Sequence, residues 1–147
     1  MSKLLTDLNG CDDFDAALRR IIAHFRADSG AIHLKDAHGV LALKSSQGIP
    51  DSVRTIITSI PFGKGMAGLA AERGEPVATC NIQTDCSGDV RPGARATGQS
   101  GGIVVPMFGP GADVMGTLGI GSYAERSFSR EECGQLIECG RALAKTL

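Results

Sequence analysis

Two apolar runs limit what this chain can fold into more than any other feature: GGIVVPMF at 101–108 and VMGTLGIGSY at 114–123, joined by the turn-forming word GPGAD. Long runs of β-branched and aliphatic residues on either side of a short Gly/Pro turn read as an antiparallel hairpin. These are the most apolar strands in the chain, so they belong at the centre of a covered sheet. Pro106 lacks an N–H donor and asks for a bulge or an edge position within the first strand. Gly116, Gly119 and Gly121 thin out the side chains of the second, which leaves its backbone open to close approach.

The remaining segments supply the cover. From Phe14, the residues Ala17, Leu18, Ile21, Ile22 and Phe25 recur at three-four spacing, the stripe of an amphipathic helix with Asp12 or Asp13 as N-cap. SGAIHLKDAHGVLALKSS reads as a second hairpin, with Ile32 and Leu34 alternating before the turn DAHG and Leu41 and Leu43 after it. A short helix is expected over 50–59, opened by Pro50 or Asp51, and another over 65–73, closed by Gly74. PVATC is a brief strand, and Asn81 to Gln99 form a long polar loop. The last helix opens on a capping box, Ser129 with Glu132, and carries Cys133, Leu136, Ile137, Gly140, Leu143, Ala144 and Leu147 as its apolar stripe. This order predicts an α+β fold: a central antiparallel sheet of five to six strands flanked by helices, in a single domain over 1–147.

A net charge of −1, one Tyr and no Trp argue against a nucleic-acid surface, which needs a basic face and stacking aromatics. No apolar run is long enough to cross a membrane and the first residues, MSKLLTDLNG, lack a signal-peptide core, so a cytoplasmic protein is expected. Five cysteines without a Cys-x-x-Cys pair read as free thiols; Cys133 and Cys139 fall in the last helix, whereas Cys80 and Cys86 border the long loop. No metal site is expected, since Cys80, Cys86, Asp85 and Asp89 match no ligand spacing, and His24, His33 and His38 suit a helix surface and a hairpin.

GKGMAG at 63–68 spells the G-x-G-x-x-G of a dinucleotide site, but Pro61 stands where the required central strand would need a ladder donor. The helix start at Gly65, Met66 and Ala67 instead leaves backbone N–H groups free for an anionic or carbonyl-bearing ligand. Thr79 and Cys80 end the short strand, Arg91, Arg95, Gln99 and Ser100 lie in or beside the loop, and Tyr123 follows the last strand. All are expected to converge on one side of the sheet, with Arg91 and Arg95 favouring an anion.

The element order, together with FDAALRRIIAHFRADSGAIHLKD, IPFGKGMAGLAAERGEPVATCNIQTD and GGIVVPMF…VMGTLGIGSYAERSFSREE, resembles the GAF domain family of PAS-like ligand-sensing modules. The resemblance covers nearly the whole chain. It implies a small-molecule-binding sensory or regulatory domain with an output kinase, cyclase or transcription activator. No cofactor is expected from the residues present, and the apolar stripes of the first and last helices, the latter running to Leu147, predict a homodimer formed through them. One branch of the family, the free methionine sulfoxide reductases, is catalytic. Its three cysteines correspond here to Ala67, a residue near Ile57 and a residue near Arg95, so the catalytic alternative needs relocated thiols, Cys80 and Cys86.

Overall fold

The computed structural model describes residues 1–83, 89, 95 and 97–147. The helices are α1 (Ser2–Leu8), α2 (Phe14–His24), α3 (Asp51–Ile56), α4 (Gly65–Arg73) and α5 (Arg130–Ala144). The strands are β1 (Ser29–Lys35), β2 (Val40–Gln47), β3 (Ser59–Pro61), β4 (Val77–Thr79), β5 (Gly101–Phe108) and β6 (Val114–Ser122). They form one antiparallel sheet in the order β3-β2-β1-β6-β5-β4, so the two apolar runs are indeed central. Among the described residues no helix is long and apolar enough to cross a membrane.

Local signals in the sequence set most of the boundaries. Asp13 caps α2 by accepting from the Ala16 N–H, and Ser129 and Glu132 form the reciprocal capping box of α5. Pro106 pairs with Thr117 on one side, while β4 reaches only Gly102 to Val104 on the other, so the proline sits where no further strand needs its donor. The register shift in this hairpin comes just beyond it, between Met107 and Phe108. Two elements differ from the sequence reading. Helix α3 stops at Ile56, and Ser59–Pro61 becomes the edge strand β3 against β2; residues 2–8 add a helix, α1, that packs on α2 and α5.

The sheet has two unlike faces. Ile32 of β1, Leu118 and Ile120 of β6, and Ile103, Val105 and Met107 of β5 form a core with Leu18 and Ile21 of α2 and Leu136, Cys139 and Leu143 of α5. The α5 stripe is therefore applied to its own sheet, and it ends at Ala144, because Leu147 is half-exposed. The opposite face lies under α3 and α4. There a smaller cluster joins Leu41, Ile60 and Ala71 to Phe62 and Ala67. The glycines of GKGMAG are turn and packing residues: Gly63 and Gly65 have φ of 85° and 66°, and a Cβ on Gly68 would stand 2.5 Å from the Pro61 carbonyl oxygen.

His33, on this second face and buried, ties α3 to the sheet through a 2.9 Å hydrogen bond from Nε2 to the Ile57 carbonyl. Burial holds its imidazole below the ordinary value, partly offset by that bond. The unfolded chain then binds this proton more readily than the folded one. The stability associated with neutral His33 is complete above about pH 6.5 and is lost as the pH falls below it. Urea unfolding should show this loss, and His33→Gln, which keeps a donor but cannot charge, should flatten it; an unchanged pH slope would refute the assignment.

At Gly116 the backbone of β1 passes so close that a Cβ would lie 2.1 Å from the His33 carbonyl oxygen. Gly116→Ala should therefore destabilise the fold by at least about 2 kcal/mol. Gly134, exposed within α5 with nothing within 4 Å of its would-be Cβ, provides the opposite case. Gly134→Ala should stabilise by about 0.5–1 kcal/mol in the same unfolding measurement.

Candidate functional site

The antiparallel register lines up small residues on the α3/α4 side of the sheet. Ala31 of β1, Gly119 of β6 and Val104 of β5 form one row, and Ser29, Gly121 and Gly102 form the next. The missing side chains leave a cavity of about 140 Å³ above these strands. Its roof comes from segments far apart in sequence: Ile49 ahead of α3, Met66 in the first turn of α4, and Ile82, Thr97 and Gln99 on the flanks of the long loop. Side chains on the floor would fill this space. A Cβ on Gly102 would come within 3.1 Å of Ile82 Cδ1, and one on Gly119 within 3.1 Å of Val104 Cγ2.

Gln99 is the polar centre of the roof, with a relative exposure of 2 %. Its backbone N–H donates to Thr97 Oγ1 at 3.0 Å, and its backbone carbonyl accepts from Gln83 Nε2 at 2.8 Å. Its side-chain Oε1 accepts from Ser29 Oγ at 3.1 Å, over the bare position of Gly121. The Nε2 of the same amide is buried and has no hydrogen-bond partner among the described residues. Leaving such a donor unsatisfied costs about 1–3 kcal/mol.

The roof segment is fastened to β6 through the main chain. Ser100 N–H donates to the Ser122 carbonyl, Ile82 N–H donates to the Ser100 carbonyl, and Arg126 N–H donates to the Cys80 carbonyl. Asn81 Nδ2 adds a 2.6 Å bond to Glu125 Oε1. Near this point, Arg126 pairs with Glu132 at 2.7 Å; the Ser129 backbone N–H first, and then the Arg126 guanidinium, hold the Glu132 carboxyl below its usual range.

Of the residues singled out from the sequence, Met66 and Gln99 line the cavity. Gly65 and Ala67 share the helix turn of Met66 but do not line it, and Ala67 packs in the second apolar cluster. Thr79 pairs with Gly102 at the end of β4, and Ser100 contributes backbone bonds. Cys80 is exposed, and Tyr123, 60 % exposed, contacts Asp28 through its backbone N–H rather than the cavity. Arg95 is exposed and is not a lining residue; Arg91 and Cys86 lie outside the described residues. Sequence reasoning missed Ser29, Ala31, Ile49, Ile82 and Thr97. The first two could have been found by continuing the alternation of Ile32 and Leu34 to the other face of β1, whereas irregular segments carry no such period.

The described lining residues are apolar or neutral, and among the described residues no group of three His, Cys, Asp or Glu could hold a metal ion. Burial pushes the Cys139 thiol up to about 12 and raises that of Cys133 as well, which makes both poor nucleophiles. What the geometry offers is a small, mostly apolar cavity whose polar side chains among the described residues are Ser29, Thr97 and Gln99.

Known structures share this architecture. A GAF domain region of a putative membrane protein from Geobacter sulfurreducens superposes with a TM-score of 0.78 at 20 % identity, covering 99 % of this chain and 95 % of that one. The GAF domain of a phosphoenolpyruvate-protein phosphotransferase from Coxiella burnetii gives 0.77 at 23 %, covering 97 % and 87 %. Free methionine-R-sulfoxide reductase from Neisseria meningitidis, in complex with its substrate, gives 0.76 at 23 %, covering 99 % and 84 %. A sequence search of curated proteins finds no match. The GAF domain family model matches residues 12–147, the segment that contains the whole sheet and the cavity, and on that match the chain belongs to the GAF family.

Proposed function

We propose that this GAF domain is a small-molecule-binding regulatory module whose ligand, a small anion or carbonyl-bearing metabolite, occupies the cavity between the β1/β6/β5 face and the roof of Met66, Ile82 and Gln99. The observation that carries this reading is the cavity itself: aligned small residues on three neighbouring strands leave space that ordinary side chains would fill. Binding there would order the roof, and the roof would pass the change on to an output kinase, cyclase or transcription activator in the cytoplasm. The catalytic alternative has less support. Cys80 is exposed and does not line the cavity, and no described thiol does.

Native mass spectrometry of the purified protein, together with a thermal-shift screen of nitrate, phosphate, carboxylates, cyclic nucleotides and small carbonyl compounds, tests the binding reading. An occupant should stabilise the fold by about 2.7 kcal/mol at a hundred times its dissociation constant. The effect should be lost when Ala31→Leu fills the floor. Absence of any occupant or shift would refute the reading. Methionine sulfoxide with a thiol reductant should give no turnover; turnover abolished by Cys80→Ser would establish the enzyme instead.

We place a homodimer on the outer flank of α1 and α5, where Leu5, Cys133 and Ile137 remain only partly buried. Light scattering at micromolar concentration should give a dimer, and Ile137→Glu should give a monomer. A monomeric wild type would overturn this part of the proposal.

A further inference from the structure

The segment that covers His33 also reaches the wall of the cavity. Residues 49–57 run from Ile49, which lines the cavity, through α3 to Ile57, whose carbonyl accepts the 2.9 Å bond from His33 Nε2. This strap is fixed at both ends and lightly held between them. Ahead of it, the backbone at Gly48 passes so close to the start of β1 that a Cβ would lie 2.4 Å from the Asp28 carbonyl oxygen. Behind it, Leu43 N–H donates to the Thr58 carbonyl at 2.9 Å, and β3 pairs with β2. Between these anchors α3 has six residues, of which only Val53 is buried; Ile56 is 56 % exposed, Pro50 supplies no side-chain cap, and no other helix or strand packs along it extensively. Ile57 adds partial burial against Leu41 and Ile60. A helix this short is marginal by itself, so the strap opens at lower cost than the sheet beneath it.

His33 makes that opening sensitive to protons. With the strap closed the residue is 3 % exposed, and its register partners, Thr117 of β6 and Leu43 of β2, are uncharged. The described charged side chains of the surrounding elements lie elsewhere. Lys35 of β1 is exposed, Lys44 of β2 sits over the Phe14 ring on the opposite face, Asp51 and Arg54 of α3 pair with each other at 3.3 Å, and Lys64, Glu72 and Arg73 at α4 are exposed. None of them compensates a charge on the imidazole: burial weakens its hold on a proton, and the Ile57 bond restores only part of it. Lifting the strap returns the ring to water and to an ordinary affinity near pH 6.5. Proton uptake therefore favours whichever state exposes His33, and the strap provides the least costly one.

We propose that residues 49–57 are a proton-responsive strap on the cavity: a proton taken up by His33 lifts the strap and draws Ile49 out of the cavity wall. On the reading of this cavity as the binding site, on which this consequence rests, acid promotes release, because occupancy that needs Ile49 in place favours the closed, neutral state. The sign and the window follow from the two protonation equilibria. Above about pH 6.5 both states are neutral and the opening constant is flat. Below it the open state takes up the proton first, so the constant rises by up to about tenfold per pH unit, and it levels off once the closed-state imidazole is charged as well.

Amide hydrogen exchange of the full chain, corrected for the pH dependence of the exchange chemistry, gives the opening constant residue by residue, and relaxation dispersion of the Ile49 δ1 methyl reports on the cavity wall. As the pH falls from about 7.5 to about 5.5, the constants for residues 52–57 should rise severalfold and the Ile49 methyl should show exchange that grows with them, while amides of β5 and β6 open far less often. His33→Gln should remove the rise. If that variant fails to fold, the imidazole ¹⁵N resonances of the wild type take its place: the rise must level off where His33 titrates in the folded protein. A pH-independent opening, a rise that survives His33→Gln or does not level off with the His33 titration, an Ile49 methyl that does not follow the strap amides, or strap amides that open no more often than those of β5 and β6 would overturn the proposal. None of these outcomes needs a ligand, so the strap can fail while the ligand screen finds an occupant, and the screen can fail while the strap opens as described.

Discussion

The structure depends on the central strand β6 presenting different surfaces to its two sides. Leu118 and Ile120 point to the layer of α1, α2 and α5, while Thr117, Gly119 and Gly121 face α3 and α4. Side chains alternate strictly along a strand, so a slip of one residue would carry the large residues into the cavity and the glycines into the core. The large side therefore fixes the register, and the small side follows from it. Burial of Leu118 and Ile120 among helix residues provides the energy that holds open a floor on the other side.

That division of labour explains how a cavity can persist in a well-packed domain. Empty space beside a sheet loses dispersion contacts and is stable only where the surrounding elements are held independently. Here the floor is set by strand pairing to β1 and β5, and the roof is fastened at several separate points. His33 binds the end of α3, main-chain bonds join Ser100 to Ser122 and Arg126 to Cys80, and Asn81 reaches Glu125. Gln99 sits where these attachments meet. Three of its four polar groups are held by Ser29, Thr97 and Gln83, and the fourth, Nε2, is buried without a partner among the described residues.

Much of this was legible in the chain beforehand, for reasons that differ from element to element. The capping residues Asp13 and Ser129 announce α2 and α5 because a cap is a local interaction between a side chain and a backbone two or three residues on. The central hairpin is legible from its length and apolarity. Strand β3 was not, since three residues ending in proline are too few to show alternation, and only pairing with β2 makes them a strand. The apolar stripe of α5 was visible, but its partner was not: it packs on β5 and β6 rather than remaining available along its length.

The sequence by itself determined the class of fold, the two-faced hairpin, and the start of α4 at Met66, because periodicity, capping and glycine placement act over a few residues. Only the tertiary structure decided which glycines share a row, that Ile49 and Ile82 close the same roof, and that Ser29, seventy residues from Gln99, takes up its carbonyl and leaves the amide nitrogen unpaired. Strand register and the docking of loops are long-range properties. They are set by which faces bury together, and no local word in the chain encodes them.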